Sequence, residues 1–256
     1  VGQSSILTSQ PVPRGYVYDG RLVFSTADVV NILPGLVRDS ANGVDIPFGA
    51  LQVDMTASGA GGLDTGARAG QTVYAIYVIM NPATFAVAAI ASLSFVAPAL
   101  PAGFTVFRRL GGISLNTVLG IRPFFMSGLG TVRTLWWNLT QGPIGDTSCR
   151  VLNAGNATVS TVIAAANRFF FPTSPEVWAQ VTFVSATPGT AMVLGPTGVT
   201  AILGQVSMIS QVAGIAAQRS GIVANVAVGG TLSYSVPNAA DQANVWVQGC
   251  TDQLAA

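Results

Sequence analysis

Apolar residues along this chain come in short runs separated by clusters of Gly, Pro, Asn and Asp. The runs include Leu22–Phe24, Ile46–Phe48, Leu51–Met55, Thr72–Ile79, residues 86–96, Phe104–Leu110, Ile113–Leu119 and Thr131–Leu139. After Gln141-Gly-Pro-Ile-Gly145 the pattern resumes at Ser148–Leu152, Thr158–Ala165, Val177–Ser185, Ala191–Leu194, Thr231–Val236 and Asn244–Gln248. Many are rich in β-branched and aromatic residues, and turn signals such as Asn81-Pro82, Asn153-Ala-Gly-Asn156 and Thr187-Pro-Gly189 bound them. Short runs of this composition at near-regular spacing predict strands. The expected fold is all-β: an antiparallel β-sandwich or barrel, built as one large unit or two smaller halves. Residues 1–20 are polar, carry Pro11, Pro13 and Gly15, and read as an extended arm. The boundary at 141–145 then separates a β-rich half over 21–140 from a second over 141–256.

Three stretches have a helical look: Ser25–Leu33, parts of 86–93, and Val206–Ala217. In the last, Met208, Val212 and Ile215 could line one face of a helix; two strands broken at Gly214 fit equally well. Residues Ala69–Phe107 and Val177–Gln218 carry no charge at all, which raises the question of a membrane span. Pro and Gly interrupt both, no stretch supplies 18 uninterrupted apolar residues, and no basic flanks are present. The aromatic residues are also too irregular for the girdles of an outer-membrane barrel. No membrane partner is expected. Val1–Asp19 lacks the apolar core of a signal peptide.

Charge is scarce: eleven Arg, nine Asp and one Glu in 256 residues, with no Lys and no His, for a net charge of +1. A typical domain has about 25% charged residues, against 8% here. A fold of this size exposes roughly 10,600 Å², about one charge per 500 Å². A surface so poor in charge is expected to be covered by neighbours in the working state. It offers no field for nucleic acid, so no nucleic-acid partner is expected.

The same inventory restricts chemistry. Without His, the Ser-His-Asp and Cys-His arrangements cannot be built, and a zinc site on Cys149 and Cys250 alone is implausible. The two cysteines are expected as buried free thiols, with a disulfide as the other option. The carboxylates lie singly in turn-like contexts, at Asp19, Asp45, Asp146 and Asp241, where capping and turn roles account for them. Asp64-Thr65-Gly66 matches the aspartic-protease tripeptide but occurs once, so a turn is expected there. The expectation is a non-enzyme with no catalytic residue, metal or cofactor. Trp136-Trp137 falls on a strand, so one indole should face the core and the other solvent or an interface, where it could stack on a sugar. Phe169-Phe-Phe171 is expected in the core.

Several pieces occur in a characteristic order. Gly62-Leu-Asp-Thr-Gly66 is followed by Thr72-Val-Tyr-Ala-Ile-Tyr-Val-Ile-Met-Asn-Pro82, Ser92-Leu-Ser94, Ala97-Pro-Ala-Leu-Pro-Ala-Gly-Phe104 and Arg108-Arg-Leu-Gly111. Arg150–Thr158, Phe170-Phe-Pro-Thr173, Thr231–Val236 and Val245–Asp252 continue the order. Over roughly 60–252 the chain resembles a group of tailed-bacteriophage virion proteins labelled tail-fibre or structural proteins. It departs from them in being more apolar, in having Cys250 where an aromatic is usual, and in lacking a polar tip sequence over Leu115–Met126.

The resemblance implies a virion structural part, assembled in the bacterial cytoplasm, with no catalytic residues. Within that group a capsid decoration or cement protein is expected, because low charge suits a surface covered on a lattice. Its partners would be itself, as a homo-oligomer with a trimer as one option, and the major capsid protein or other virion proteins. The alternative is a tail-fibre or tail-tip module that binds a receptor or carbohydrate through Trp136 or Trp137. Candidate interface anchors are Arg14, Arg21, Arg38, Arg108 and Arg109, since Arg is enriched at such contacts.

Overall fold

The computed structural model describes residues 15–128, 130–137, 149–164, 168–196, 206–225 and 231–254. Its elements are strands, paired antiparallel throughout. Two small sheets open the chain. One pairs β1 (Val17–Asp19), β4 (Gly35–Arg38) and β5 (Asp45–Phe48); the other pairs β2 (Leu22–Phe24), β3 (Val29–Ile32) and β6 (Leu51–Asp54). A third sheet has β7 (Val73–Met80) between β8 (Val87–Ser92) and β9 (Val106–Ser114).

The largest sheet runs in the order β10 (Phe124–Ser127), β11 (Val132–Trp137), β19 (Gln242–Gln253), β14 (Glu176–Val184), β17 (Ala217–Asn225), with β12 (Arg150–Gly155) also on β19. The last sheet orders β13 (Thr161–Val162), β18 (Leu232–Ser235), β15 (Ala191–Pro196) and β16 (Val206–Ile209). The expected all-β, antiparallel, sandwich-like architecture is therefore found.

The unbroken apolar run of β7 has a plain cause. Tyr74, Ile76, Val78 and Met80 face the main core, while Ala75, Tyr77 and Ile79 enter a second cluster with Ile90, Phe95, Leu100 and Phe104. The segment 93–104 covers the second face, so both faces select apolar residues and the alternation of a half-exposed strand disappears. Asp64 helps fix this cover. Its Oδ2 accepts the Ala99 amide and its Oδ1 the Thr65 amide. The turn expected at Asp64-Thr65-Gly66 is thus a tie between loop and cover.

The three helical stretches are not helices. Ser25–Leu33 contains β3, and 86–93 contains β8. Val206–Ala217 contains β16 and the first residue of β17, joined through Gly214 at a φ of 71°. These two strands pair into different sheets rather than with each other. β16 pairs with β15 and β17 with β14, contacts that apolar spacing within the segment does not specify.

One cluster of buried residues extends from Val17 to Leu254. The six-stranded sheet takes β10 and β11 from before Gln141 and its other strands from after it, so the boundary expected at 141–145 does not divide the core. That segment itself lies outside the described residues, as do residues 1–14 of the expected arm. Residues 17–19 of that arm are a paired strand, and the Gly15 carbonyl accepts from Arg108 Nη2 at 2.8 Å.

Candidate functional site

Two of the five candidate interface arginines lie inside the protein. Arg108 and Arg109 are 1% and 5% exposed. Arg109 Nη1 donates to both carboxylate oxygens of Asp252, at 2.9 and 3.0 Å, and Nη2 donates to the Gln253 carbonyl at 2.7 Å. Its guanidinium also lies over the Phe95 ring. Burial lowers the pKa of Arg108, with Arg109 adding repulsion. Arg21 and Arg38 are engaged within the chain, with Asp19 at 2.9 Å and Asp45 at 3.0 Å. Arg14 lies outside the described residues. The interface reading is corrected for Arg108 and Arg109: strand geometry turns these adjacent side chains to opposite faces, and both faces of the β7–β9 sheet are covered.

Sequence reasoning overlooked Arg133, which is fully buried and donates from Nη2 to the Asp19 carbonyl at 2.6 Å. Among the described residues seven charged side chains are buried in this way: Asp39, Arg108, Arg109, Arg122, Arg133, Asp241 and Asp252. Six more form the pairs Asp19–Arg21, Arg38–Asp45 and Asp28–Arg68. The outer surface is therefore poorer in free charge than composition alone indicates. It also exposes large apolar side chains, among them Phe85 (76%), Val96 (86%), Val118 (80%) and Phe125 (64%).

Trp136 and Trp137 occupy opposite faces of β11. Trp137 is buried, donates from Nε1 to the Phe169 carbonyl at 3.0 Å and packs edge-on to that ring. Phe169, Phe170 and Phe171 are all core residues. Trp136 is half-buried on the outer face of the six-stranded sheet and meets Trp178, with ring centroids 4.9 Å apart and planes at 49°.

The register explains that contact. Phe125, Trp136, Gly249 and Trp178 are successive partners across β10, β11, β19 and β14. Gly249 leaves the space over β19 in which the two indoles meet; a Cβ there would clash with the Leu135 carbonyl and crowd Trp136. An extra residue in β19, Gln248, shifts the register between Trp178 and Ala179. A second shift sits across β14, between Ala179 and Val181, where Gly221 has a φ of 69°. Such bulges re-aim side chains and recur beside functional sites.

Here they flank Gln180, which is 1% exposed and whose Nε2 has no hydrogen-bond partner; the Trp178 Nε1 also has none. Trp246 shares this face as the register partner of Gln180. Beside Phe125 a cleft of about 140 Å³ is lined by Arg21, Leu22, Val23, Leu33, Phe124 and Met126.

Cys149 and Cys250 are both buried and neither is in a disulfide, and burial pushes the Cys250 thiol far up. Among the described residues no group of three His, Cys, Asp or Glu side chains could hold a metal, and no helix is long and apolar enough to cross a membrane. No family model matches the chain, and no curated protein matches it either.

Proposed function

We propose that this chain is a structural building block that works inside a protein assembly, as a virion component covering a bacteriophage head lattice in homo-oligomeric form. The observation that carries the reading is the surface: among the described residues seven charged side chains are buried and six more are paired with one another, while large apolar side chains remain exposed. Net charge and free surface charge keep soluble proteins apart, and a net charge near zero promotes association. The ordered motifs over 60–252 supply the virion part of the proposal, and the low surface charge favours a lattice-bound cement role over a solvent-exposed fibre.

Sedimentation velocity across a concentration series, together with co-sedimentation on purified empty heads, tests it. Self-association and saturable binding in a fixed ratio to the capsid subunit are expected. A protein that stays monomeric at high concentration and does not bind heads would sink the reading.

A further inference from the structure

We infer that the row Phe125–Trp136–Gly249–Trp178, on the outer face of the six-stranded sheet, is a binding surface for neutral saccharide. The row crosses four adjacent strands in register, roughly 14 Å at the usual strand spacing. That is room for more than one pyranose ring. The apolar face of a sugar presents C–H groups of slight positive charge, which suit the negative faces of aromatic rings. Phe125 is 64% exposed and the two indoles are half-buried, so all three offer ring surface.

A second observation points the same way. Gln180 Nε2 and Trp178 Nε1 are donors two positions apart on one face of β14, and both lack an acceptor. Such unmet donors are costly, and two paired bulges hold the strand in this arrangement. Sugar hydroxyls carry the missing acceptor lone pairs. Both donor atoms are buried in the free protein, so a hydroxyl reaches them only if the half-buried Trp178 ring turns, a movement that its fluorescence reads.

The middle of the row favours a neutral ligand held by its ring faces. β11, β19 and β14 are each paired on both sides, so a peptide cannot add between them as an extra strand. Glu176 on β14 and Arg150 on β12, the register partner of Trp246, are charged neighbours of opposite sign on this face, so they offset each other and select no ionic polymer.

The test is independent of self-assembly. The full chain is titrated with maltohexaose, cellohexaose, mannohexaose and a galactan hexamer, followed by tryptophan fluorescence and saturation-transfer NMR. At least one oligosaccharide is expected to bind, with Kd rising at least tenfold in Trp136→Ala and in Phe125→Ala. Phe85→Ala, an exposed aromatic at the β7–β8 turn, is expected to leave Kd unchanged. Phe125→Ala keeps the test valid if Trp136→Ala fails to fold, because the Phe125 side chain is mostly outside the core. Failure of all four sugars to bind at millimolar concentration overturns the inference. So does binding that both row variants leave intact, or a loss of self-association in those variants without sugar binding, which would make the row a protein interface.

Discussion

Arg109 and Asp252 stand 143 positions apart and meet in the interior, with one guanidinium nitrogen donating to both carboxylate oxygens. Thr173 Oγ1 adds a donor to Asp252 at 2.7 Å. The contact joins β9 to β19, and so joins the central three-stranded sheet to the six-stranded one. Asp252→Asn leaves the Arg109 charge buried without its counter-ion and is expected to cost about 3–5 kcal/mol, read as a lower urea midpoint. The double variant Arg109→Met with Asp252→Leu is expected to recover much of that loss, because neither charge then remains desolvated. Losses in Arg109→Met and in Asp252→Leu that simply add in the double variant would show that the pair is not coupled.

Gly249 is required by close approach. Gly249→Ala places a methyl group against the Leu135 carbonyl and the Trp136 ring. It is expected to cost about 1–3 kcal/mol through overpacking and to change the near-ultraviolet signal of the Trp136–Trp178 pair. An unchanged melt and an unchanged spectrum would contradict this packing.

The two adjacent tryptophans should differ sharply. Trp137→Ala empties a core site and is expected to cost about 3–5 kcal/mol. Trp136→Ala, on the outer face, is expected to cost clearly less. Thermal unfolding of the two variants side by side checks the assignment of faces.

Alkaline pH should destabilise the fold before it alters anything else. Burial raises the Cys250 thiol pKa, and it pushes the Tyr77 hydroxyl up to about 12. In the unfolded chain these groups ionise near about 8.5 and 10. The native state therefore holds its protons longer, and stability is full below pH about 8.5. It falls as pH rises, by up to about 1.4 kcal/mol per pH unit for each group in its window. Tyr77 contributes between about 10 and 12. Cys250→Ala is expected to flatten the first part of the decline and Tyr77→Phe the second, in unfolding midpoints measured against pH. Tyr77→Phe also removes the hydrogen bond to the Ser94 carbonyl, so its curve starts lower.

Self-association, if driven by apolar surface, should resist salt. Screening weakens exposed ion pairs, whereas excluded salts such as sulfate strengthen apolar burial. Sedimentation in low salt, high chloride and sulfate is expected to show association unchanged or stronger. Dissociation by chloride would mean that the few exposed charges hold the assembly.

The strand pattern was readable because each run carries its own evidence: β-branched and aromatic residues, bounded by turn residues whose backbone preferences are local. The all-β class, the opposite faces of Trp136 and Trp137, the core place of Phe169–Phe171 and the turn at Asp64 follow from that local physics. The false helical signals at Ser25–Leu33 and Val206–Ala217 arose where apolar spacing fits both periods, and strand pairing, not spacing, decides between them. Charge counts were equally plain in the sequence, but where the charges sit was not. Arg108 and Arg109 read as surface anchors because an Arg beside a strand is usually solvated; only the tertiary structure brings Asp252 and the Gly15 carbonyl to them. The row Phe125–Trp136–Gly249–Trp178 was hidden for the same reason. Its members are scattered over more than 120 positions, and they become neighbours only through strand register and a bulge of one residue, which no local pattern specifies.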